Sequence, residues 1–318
     1  MNVSNLPTNV TLTSIVATVQ GWSRWYVVLT TIFFSLIIAI GLFGNSLILA
    51  TLARFREMRT PCNLLIGNIC AADLMVCVIV APLRIIEIYR GWIFGDVMCY
   101  ILAPLQDVFV VVSIFSQTLI ALERHRAIVA PFKSKNTLNG VKKAVFVIWI
   151  ACYLTSGVPM IIFIKNRLNN SGYFYCRVDF ISDAHRIAYK VYLVVVFMAF
   201  PLLIQCAAYV NVIRALKVQG ILLPSSLQKK ILLLRVRQKK RLVRMLIVLM
   251  LAFQACYLPR GVIMLMMEFT PEITSKPEFG YVKFVTLAMV YVKHIANPFL
   301  LWAMSKDFRS GCLVVCRC

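Results

Sequence analysis

The sequence predicts an all-α membrane protein, a seven-transmembrane helix bundle with a short C-terminal amphipathic helix. Of its 318 residues, 61% are hydrophobic and 14% are charged, and the mean hydropathy is +0.83. A soluble domain of this length is less apolar. Seven apolar stretches each reach about 20 residues or more, the length that crosses a hydrocarbon core as a helix. The formal charge of +22 lies mainly between these stretches, so it indicates membrane topology and not a nucleic-acid partner.

Short connections join the seven stretches into one compact unit. We expect the spans at 25–52, 63–89, 98–128, 142–164, 187–217, 241–269 and 278–304, with an amphipathic segment at 306–318. The resulting organisation is an extracellular tail at 1–24, a bundle at 25–304, and an amphipathic helix with a cytoplasmic tail at 305–318.

The third span carries a sparse polar stripe. Gln106, Ser113, Gln117 and Arg124 follow one another at intervals that place them on one face of an α-helix. Cys99 and Arg124 lie about 37 Å apart at 1.5 Å per residue, slightly more than the thickness of a hydrocarbon core. Because a polar group that faces lipid is costly, we expect this helix to be central in the bundle.

Basic residues predict the orientation of the chain. Of the 34 Lys and Arg residues, 22 lie at 54–59, 124–143, 214–244 and 306–317, on the same side of the predicted bundle. By the positive-inside rule that side is cytoplasmic, and we expect a multi-pass plasma-membrane protein with an extracellular N-terminus. Three glycosylation sequons all fall on the opposite side, at Asn2, Asn9 and Asn169.

A series of motifs in these spans resembles a known family. In chain order they are Gly44-Asn45, Ala72-Asp73-Leu74, Trp92-Ile93-Phe94-Gly95, Glu123-Arg124-His125, Trp149, Pro201, Tyr209, Phe253, Cys256-Tyr257-Leu258-Pro259, Asn297-Pro298 and Phe308-Arg309. Their order and spacing resemble the class A (rhodopsin-like) G-protein-coupled receptors across nearly the whole chain. The resemblance implies an extracellular ligand and a heterotrimeric G protein as partners, beside membrane lipid.

Gln106 points to a subgroup of that family. It stands where amine receptors carry an aspartate, and receptors for amidated peptides often have glutamine there. The chain therefore looks like a neuropeptide receptor, and an extracellular peptide is the expected ligand.

A disulfide is expected between Cys99 and Cys176, the only two cysteines that the spans place at the outer surface. It ties the loop before helix five to the outer end of helix three and is worth roughly 2–4 kcal/mol. Two free thiols are the alternative.

Asp73 places a carboxylate in the middle of the bilayer, where it requires a partner. In the resembled family this aspartate helps to hold a sodium ion, and Asn45, Ser113 and Asn297 match the accompanying polar residues. Lys293, one turn from Asn297, stands where the family has a small polar group. We hypothesise that the Lys293 ammonium group pairs with Asp73 and replaces sodium. The alternative is that Lys293 points to water in the ligand cavity.

The ligand cavity is expected between the outer thirds of helices two, three, five, six and seven. Its candidate lining residues are Arg84, Glu87, Gln106, Asp107, Lys190, Tyr257, Arg260, Lys283 and Tyr291. Four cations against two carboxylates suggest a ligand with at least one acidic group, which arginine binds bidentately. The alternative for these charges is that they snorkel to the interface or pair with Glu87, Glu268 and Asp179.

The resemblance also implies a set of activation-switch residues. They are Asp73, Ile114, Glu123, Arg124, Pro201, Tyr209, Phe253, Lys293, Asn297 and Pro298. Glu123 is expected to form an ion pair with Arg124 that restrains the inner end of helix three until helix six moves outward. Two positions depart from the family, where Tyr257 replaces a tryptophan and Leu301 replaces a tyrosine. We therefore expect altered basal activity, in either direction.

Two features are expected at the cytoplasmic surface. Cys312, Cys316 and Cys318 lie on the amphipathic segment and are candidates for acylation, with free thiols as the alternative. The basic segment 229–244 is either a helical extension that contacts the G protein or a segment that binds anionic headgroups.

Other function classes are less well supported. No catalytic triad, phosphate-binding loop or metal-spaced cluster occurs, so the sequence does not indicate an enzyme, a cofactor or a metal. A receptor for a small carboxylate or a lipid acid is the nearest alternative. A non-signalling decoy receptor is a second alternative, suggested by Tyr257 and Leu301.

Overall fold

The structure is a computed structural model that describes residues 24–130, 137–168, 172, 174–221, 229–276 and 278–317. Within them, seven helices are long and apolar enough to cross a membrane. Helices one to seven span Arg24–Arg54, Pro61–Arg90, Gly95–Val129, Leu138–Phe163, Asp183–Gln219, Leu233–Phe269 and Phe279–Met304. A C-terminal helix follows at Lys306–Arg317. The predicted fold class is confirmed.

Helix six begins well before the start that the sequence predicts at residue 241. Its helical backbone runs over Lys229–Phe269, so the basic segment is a continuous extension of the membrane-spanning part. Lys, Arg and Leu are good helix formers, whereas hydropathy marks only the part within the bilayer. Helix five also begins early, at Asp183 instead of residue 187, because the Ser182 hydroxyl accepts a hydrogen bond from the His185 backbone N–H and caps the helix.

Three helices contain a π-helical turn just before a proline. The turns are Val76–Val80, Tyr153–Gly157 and Val195–Ala199, and the prolines two residues beyond them are Pro82, Pro159 and Pro201. Proline has no N–H to donate, and its ring clashes with the carbonyl four residues earlier. A widened turn relieves that clash. It also rotates the rest of the helix, which changes the face on which later residues lie.

A β-hairpin lies between helices four and five. Its strands, β1 (Ile164–Leu168) and β2 (Phe174–Val178), are antiparallel. Cys176 in β2 forms a disulfide with Cys99 in the first turns of helix three, at a Cα–Cα distance of 5.6 Å. The predicted disulfide is thus present. This end of the bundle is called the disulfide end, and the opposite end, where helix three carries Arg124, is called the arginine end.

Helix three is packed on several sides, against helices two, four, five and six. Ser113 of its polar stripe is fully buried and Gln117 is 7% exposed. Apolar side chains form one large cluster at the arginine end and a second toward the disulfide end. These two clusters hold the helices that line the cavity described below.

The C-terminal helix packs against helix one. Phe308, Gly311 and Cys312 are its buried residues. A Cβ atom at Gly311 would lie 2.5 Å from the Cγ2 atom of Thr51, so a larger residue there would push the two helices apart. The amphipathic segment that the sequence predicts is therefore docked on the bundle.

Candidate ligand cavity and the buried ion cluster

A cavity of about 310 Å³ lies at the disulfide end, between helices two, three, five, six and seven. Six of the nine candidate residues line it: Arg84, Glu87, Gln106, Asp107, Tyr257 and Arg260. Most of the remaining lining is apolar, and Cys176 of the disulfide closes one side. The volume is at the lower end of the range for small-molecule sites, roughly 300–1,000 Å³, so it fits one or two residues of a peptide.

Arg84 is the most fully bonded charge in the cavity. Its guanidinium group donates hydrogen bonds to Glu87 Oε2 at 2.8 Å, Gln106 Oε1 at 2.8 Å and the Tyr291 hydroxyl at 3.2 Å. The carboxylate of Glu87 offsets its charge. Tyr291 is itself buried and does not line the cavity, but it holds Arg84 from helix seven.

The two candidate lysines lie outside the cavity lining. Lys190 pairs with Glu268 on helix six, which also binds Arg186 at 2.8 Å. Lys283 donates to the Thr274 carbonyl at 3.0 Å. The structure therefore places both lysines in the alternative arrangement, in which long cationic side chains find partners near the interface.

Asp73 is completely buried and holds four polar groups. Lys293 Nζ lies 2.6 Å from Oδ1 and His294 Nδ1 lies 2.8 Å from the same oxygen. Asn297 Nδ2 donates to Oδ2 at 2.7 Å, and the Ser113 hydroxyl donates more weakly to Oδ1 at 3.4 Å. We call Asp73, Ser113, Lys293, His294 and Asn297 the ion cluster.

The ion cluster does not fit the sodium ion that the resemblance implies. The Lys293 ammonium group brings a full positive charge to Oδ1, where a bound sodium ion would need that oxygen as a ligand. Asn45, a further matching residue, uses its Nδ2 for the carbonyls of Gly41 and His294. The chain supplies its own cation for Asp73.

Sequence reasoning missed several polar groups of the bundle. His294 lies three residues before Asn297, so the helical period alone places both on one face. Asn68 on helix two donates to the Ser116 hydroxyl at 2.8 Å and accepts from Trp149 Nε1 at 2.9 Å, which joins helices two, three and four. No short motif marks this network in the sequence, because its three members come from separate spans.

The central switch residues form a small packed cluster below the cavity. Ile114 and Phe253 pack with Val110, and Tyr257 lies against them. The Tyr257 and Phe253 ring centroids are 5.6 Å apart, and Lys293 Nζ lies 4.9 Å from the centroid of the Phe253 ring. Phe253 therefore contacts both a cavity-lining residue and the ion cluster.

At the arginine end, Arg124 pairs with the adjacent Glu123, and most of both side chains is buried. Tyr209 and Leu301 are both buried in the large apolar cluster. Together with Gln117 and Asn297 they line a gap of about 20 Å³, which is room for about one water molecule. Of the other switch residues, Pro201 follows the π turn of helix five. Pro298 lies within helix seven.

The three candidate acylation cysteines differ in their surroundings. Cys312 is 2% exposed and accepts a hydrogen bond from the Thr51 hydroxyl, and burial raises the pKa of its thiol. Cys316 is exposed. Cys318 and the sequons at Asn2, Asn9 and Asn169 lie outside the described residues.

Seven spanning helices, a disulfide that joins a hairpin to helix three, and a charged cavity behind that disulfide define a seven-helix membrane receptor. The chain belongs to the family described as 7 transmembrane receptor (rhodopsin family), whose model matches residues 44–301. It is a multi-pass plasma-membrane protein of a receptor family and is not an enzyme. The predicted resemblance is confirmed.

Relatives of this chain include several neuropeptide receptors. It is 28% identical over 303 residues to the rat pyroglutamylated RF-amide peptide receptor, and the aligned region covers 89% of this chain and 69% of the relative. It is 25% identical over 300 residues to a QRFP-like peptide receptor of Branchiostoma floridae (91% and 77%). It is also 28% identical over 298 residues to the rat neuropeptide Y receptor type 4 (88% and 77%).

Proposed function

We propose that this protein binds an extracellular peptide in the cavity at the disulfide end and activates a heterotrimeric G protein at the arginine end. The observation that carries the proposal is the cavity itself, which presents charged side chains and whose lining residue Tyr257 packs against Phe253 and Ile114. The names of its relatives, which refer to peptides, support a peptide ligand. They do not favour a small carboxylate or a lipid acid.

The extracellular position of the disulfide end is part of the proposal. The arginine end carries the basic segments 54–59 and 235–244, which favours the cytoplasm for that end. The Cys99–Cys176 disulfide lies at the opposite end, and disulfides persist in oxidising compartments. Both features support an extracellular tail at 1–24 and a cytoplasmic C-terminal helix.

The signal path starts at Tyr257, which lines the cavity and lies against Phe253. A peptide that contacts Tyr257 differently in two arrangements of helix six shifts the balance between them. Phe253 passes that shift to Ile114 on helix three and to Lys293 in the ion cluster.

The response at the arginine end is the release of Arg124 from Glu123. Outward movement of helix six opens a groove in which Arg124 meets the G protein. The extension of helix six then lies beside that groove. Arg241 on this extension already donates to the Met304 carbonyl at the end of helix seven, at 3.3 and 3.4 Å. The same extension can bind anionic lipid headgroups when no G protein is present.

The test is G-protein activation in cells that express the receptor, measured against a peptide library and a library of carboxylates and lipid acids. The Arg124→Ala variant should abolish the response while peptide binding persists. Arg126→Ala is the matched control, because Arg126 is exposed on the same helix two residues away. A response to lipid acids alone contradicts the peptide proposal. Surface receptor that binds and internalises peptide without activating a G protein establishes a decoy.

A further inference from the structure

Two opposite charges in the cavity lack a bonded partner. Asp107 on helix three and Arg260 on helix six both line it. Within the part of the chain that the structure describes, neither side chain forms a hydrogen bond or a salt bridge. They do not bridge each other, although each lies within electrostatic range of the other.

Arg84, a neighbouring charge in the same cavity, has several hydrogen-bond partners, unlike Asp107 and Arg260. Three side chains hold it, and Glu87 offsets its charge. Arg84 therefore has little capacity left for a ligand. Tyr257 stands near both unpaired charges and lines the same cavity, and its hydroxyl forms no hydrogen bond with the described protein. A carboxylate, a guanidinium group and a phenol are thus all open to a ligand.

Unpaired charges in a membrane bundle are costly, and they mark functional sites by default. A neutral ligand would displace water from both charges and leave both unpaired. A purely acidic ligand would satisfy Arg260 and repel Asp107. Only a ligand with both signs of charge compensates the two groups together, and electrostatic complementarity of this kind sets specificity.

We propose that the cavity binds the end of a peptide that carries a basic group and a free carboxylate, with Asp107 binding the basic group and Arg260 the carboxylate. This inference rests on the proposed peptide-receptor function and deepens it. Arg260 binds the carboxylate through two parallel N–H···O hydrogen bonds. The 310 Å³ cavity limits the bound part to one or two residues, so the two charges belong to the last residues of the peptide. A C-terminal amide, the terminus that the resemblance at Gln106 suggests, offers no charge to Arg260, so the proposal departs from that resemblance.

The first test uses four synthetic pentapeptides of sequence Ala-Ala-Ala-Xaa-Phe. Xaa is arginine or its neutral isostere citrulline, and the terminus is a free carboxylate or an amide. We expect the arginine peptide with the free carboxylate to activate the receptor at a concentration at least about tenfold lower than either singly neutralised peptide, since one charge-assisted contact corresponds to a factor of ten or more.

Receptor variants assign each preference to a residue. Asp107→Asn should remove the preference for arginine and keep the preference for the carboxylate. Arg260→Gln should do the reverse. Lys165→Gln, which neutralises a half-exposed lysine of β1 that pairs with Asp179, is the control and should keep both preferences. Stronger activation by the amides, or preferences that survive in both variants, would overturn the assignment. Activation by other library peptides but by none of these four would overturn it too, and would leave the proposed function intact.

The second test needs no ligand. The double variant Asp107→Asn/Arg260→Gln should raise the melting temperature of the purified, unliganded receptor by about 2–4 °C, because it removes two charges without hydrogen-bond partners and leaves neither behind alone. Glu87→Gln should lower it, because that change leaves Arg84 without its counter-charge. A fall or no change in the melting temperature of the double variant would overturn the inference even if no peptide activated the receptor.

Discussion

At the scale of single residues, the ion cluster explains how an ionised carboxylate persists in the middle of a bilayer. Asp73 is completely inaccessible, yet four polar side chains from helices three and seven lie within hydrogen-bond distance of its two oxygens. Low dielectric surroundings strengthen the attraction between Asp73 and Lys293 and also make either group costly alone. Removal of one partner therefore destabilises the protein by much more than the pair as a whole stabilises it.

We predict that Lys293→Asn lowers the stability of the purified receptor in potassium chloride by about 3–5 kcal/mol, the cost of leaving Asp73 buried without a counter-charge. Sodium chloride of equal ionic strength should restore part of this loss, since sodium can then reach Asp73. The parent should melt at one temperature in both salts, as should Lys306→Asn, which alters an exposed lysine. Stabilisation of the parent by sodium would contradict replacement of the ion by Lys293.

A second prediction at this scale concerns Leu301. Leu301→Tyr adds a ring and a hydroxyl beside Tyr209, where the gap is only about 20 Å³. Overpacking of this kind typically costs about 1–3 kcal/mol. We expect it to destabilise the arrangement seen here, in which Arg124 is paired with Glu123. Agonist-free G-protein activation should therefore rise severalfold. Phe299→Tyr, at an exposed position on the same turn, is the control. Equal basal activity of Leu301→Tyr and the parent would contradict the prediction.

At the scale of elements, a π turn before a proline occurs in three of the seven described spans. Each π turn adds a residue to one helical turn, so side chains beyond it are rotated relative to a regular helix. In helix two the turn lies between Asp73 of the ion cluster and Arg84 of the cavity. It therefore changes the direction of Arg84 relative to Asp73 from the one that a regular helix would give.

The C-terminal helix carries a prediction about acylation. Cys316 is exposed on its apolar side, whereas Cys312 is buried against Thr51 and its thiol has a raised pKa. Because the thiolate is the reacting form, burial and a raised pKa both protect Cys312. In Cys316→Ser we expect mass spectrometry to find no hydroxylamine-sensitive acyl group on residues 306–317. The same groups should persist in Cys312→Ser, and their loss in that variant alone would contradict the prediction.

At the scale of the whole molecule, the asymmetry of charge predicts the orientation. An epitope fused before residue 1 should be stained by antibody on intact cells, and Asn169→Gln should remove one glycan and increase electrophoretic mobility. In the sequence, Asn169 lies between the strands β1 and β2, on the side that the charge asymmetry predicts for the N-terminus, so both measurements test the same orientation. An epitope stained only after permeabilisation would show the opposite orientation.

Much of the architecture followed from the sequence because hydropathy and helical period are local properties. Span positions agree with the structure, apart from the ends of helices that continue beyond the apolar part, most of all helix six. The hairpin was missed because its strands have only five residues each and carry polar side chains. The fold class and the Cys99–Cys176 disulfide were predicted correctly.

The site was predictable in composition and only partly in arrangement. Sequence reasoning selected Arg84, Asp107 and Arg260 as cavity residues, and all three line it. It also selected Lys190 and Lys283, which the structure places outside the lining, with partners of their own near the end of the bundle. Long lysine side chains reach partners several ångströms from their backbone, so their position on a span does not decide their direction.

The sequence alone determined the number of spans, the receptor family and the cysteine pair, because apolar length, motif order and cysteine position do not depend on how helices cross. Only the tertiary structure decided which charges meet. Asp73 is joined by both Lys293 and His294, while Asp107 and Arg260 stay unpaired in one cavity. Such pairing depends on the rotation of each helix, which the π turns alter, and on contacts between residues more than 100 positions apart. Distances of 2.6 to 2.8 Å are set by packing and not by spacing along the chain.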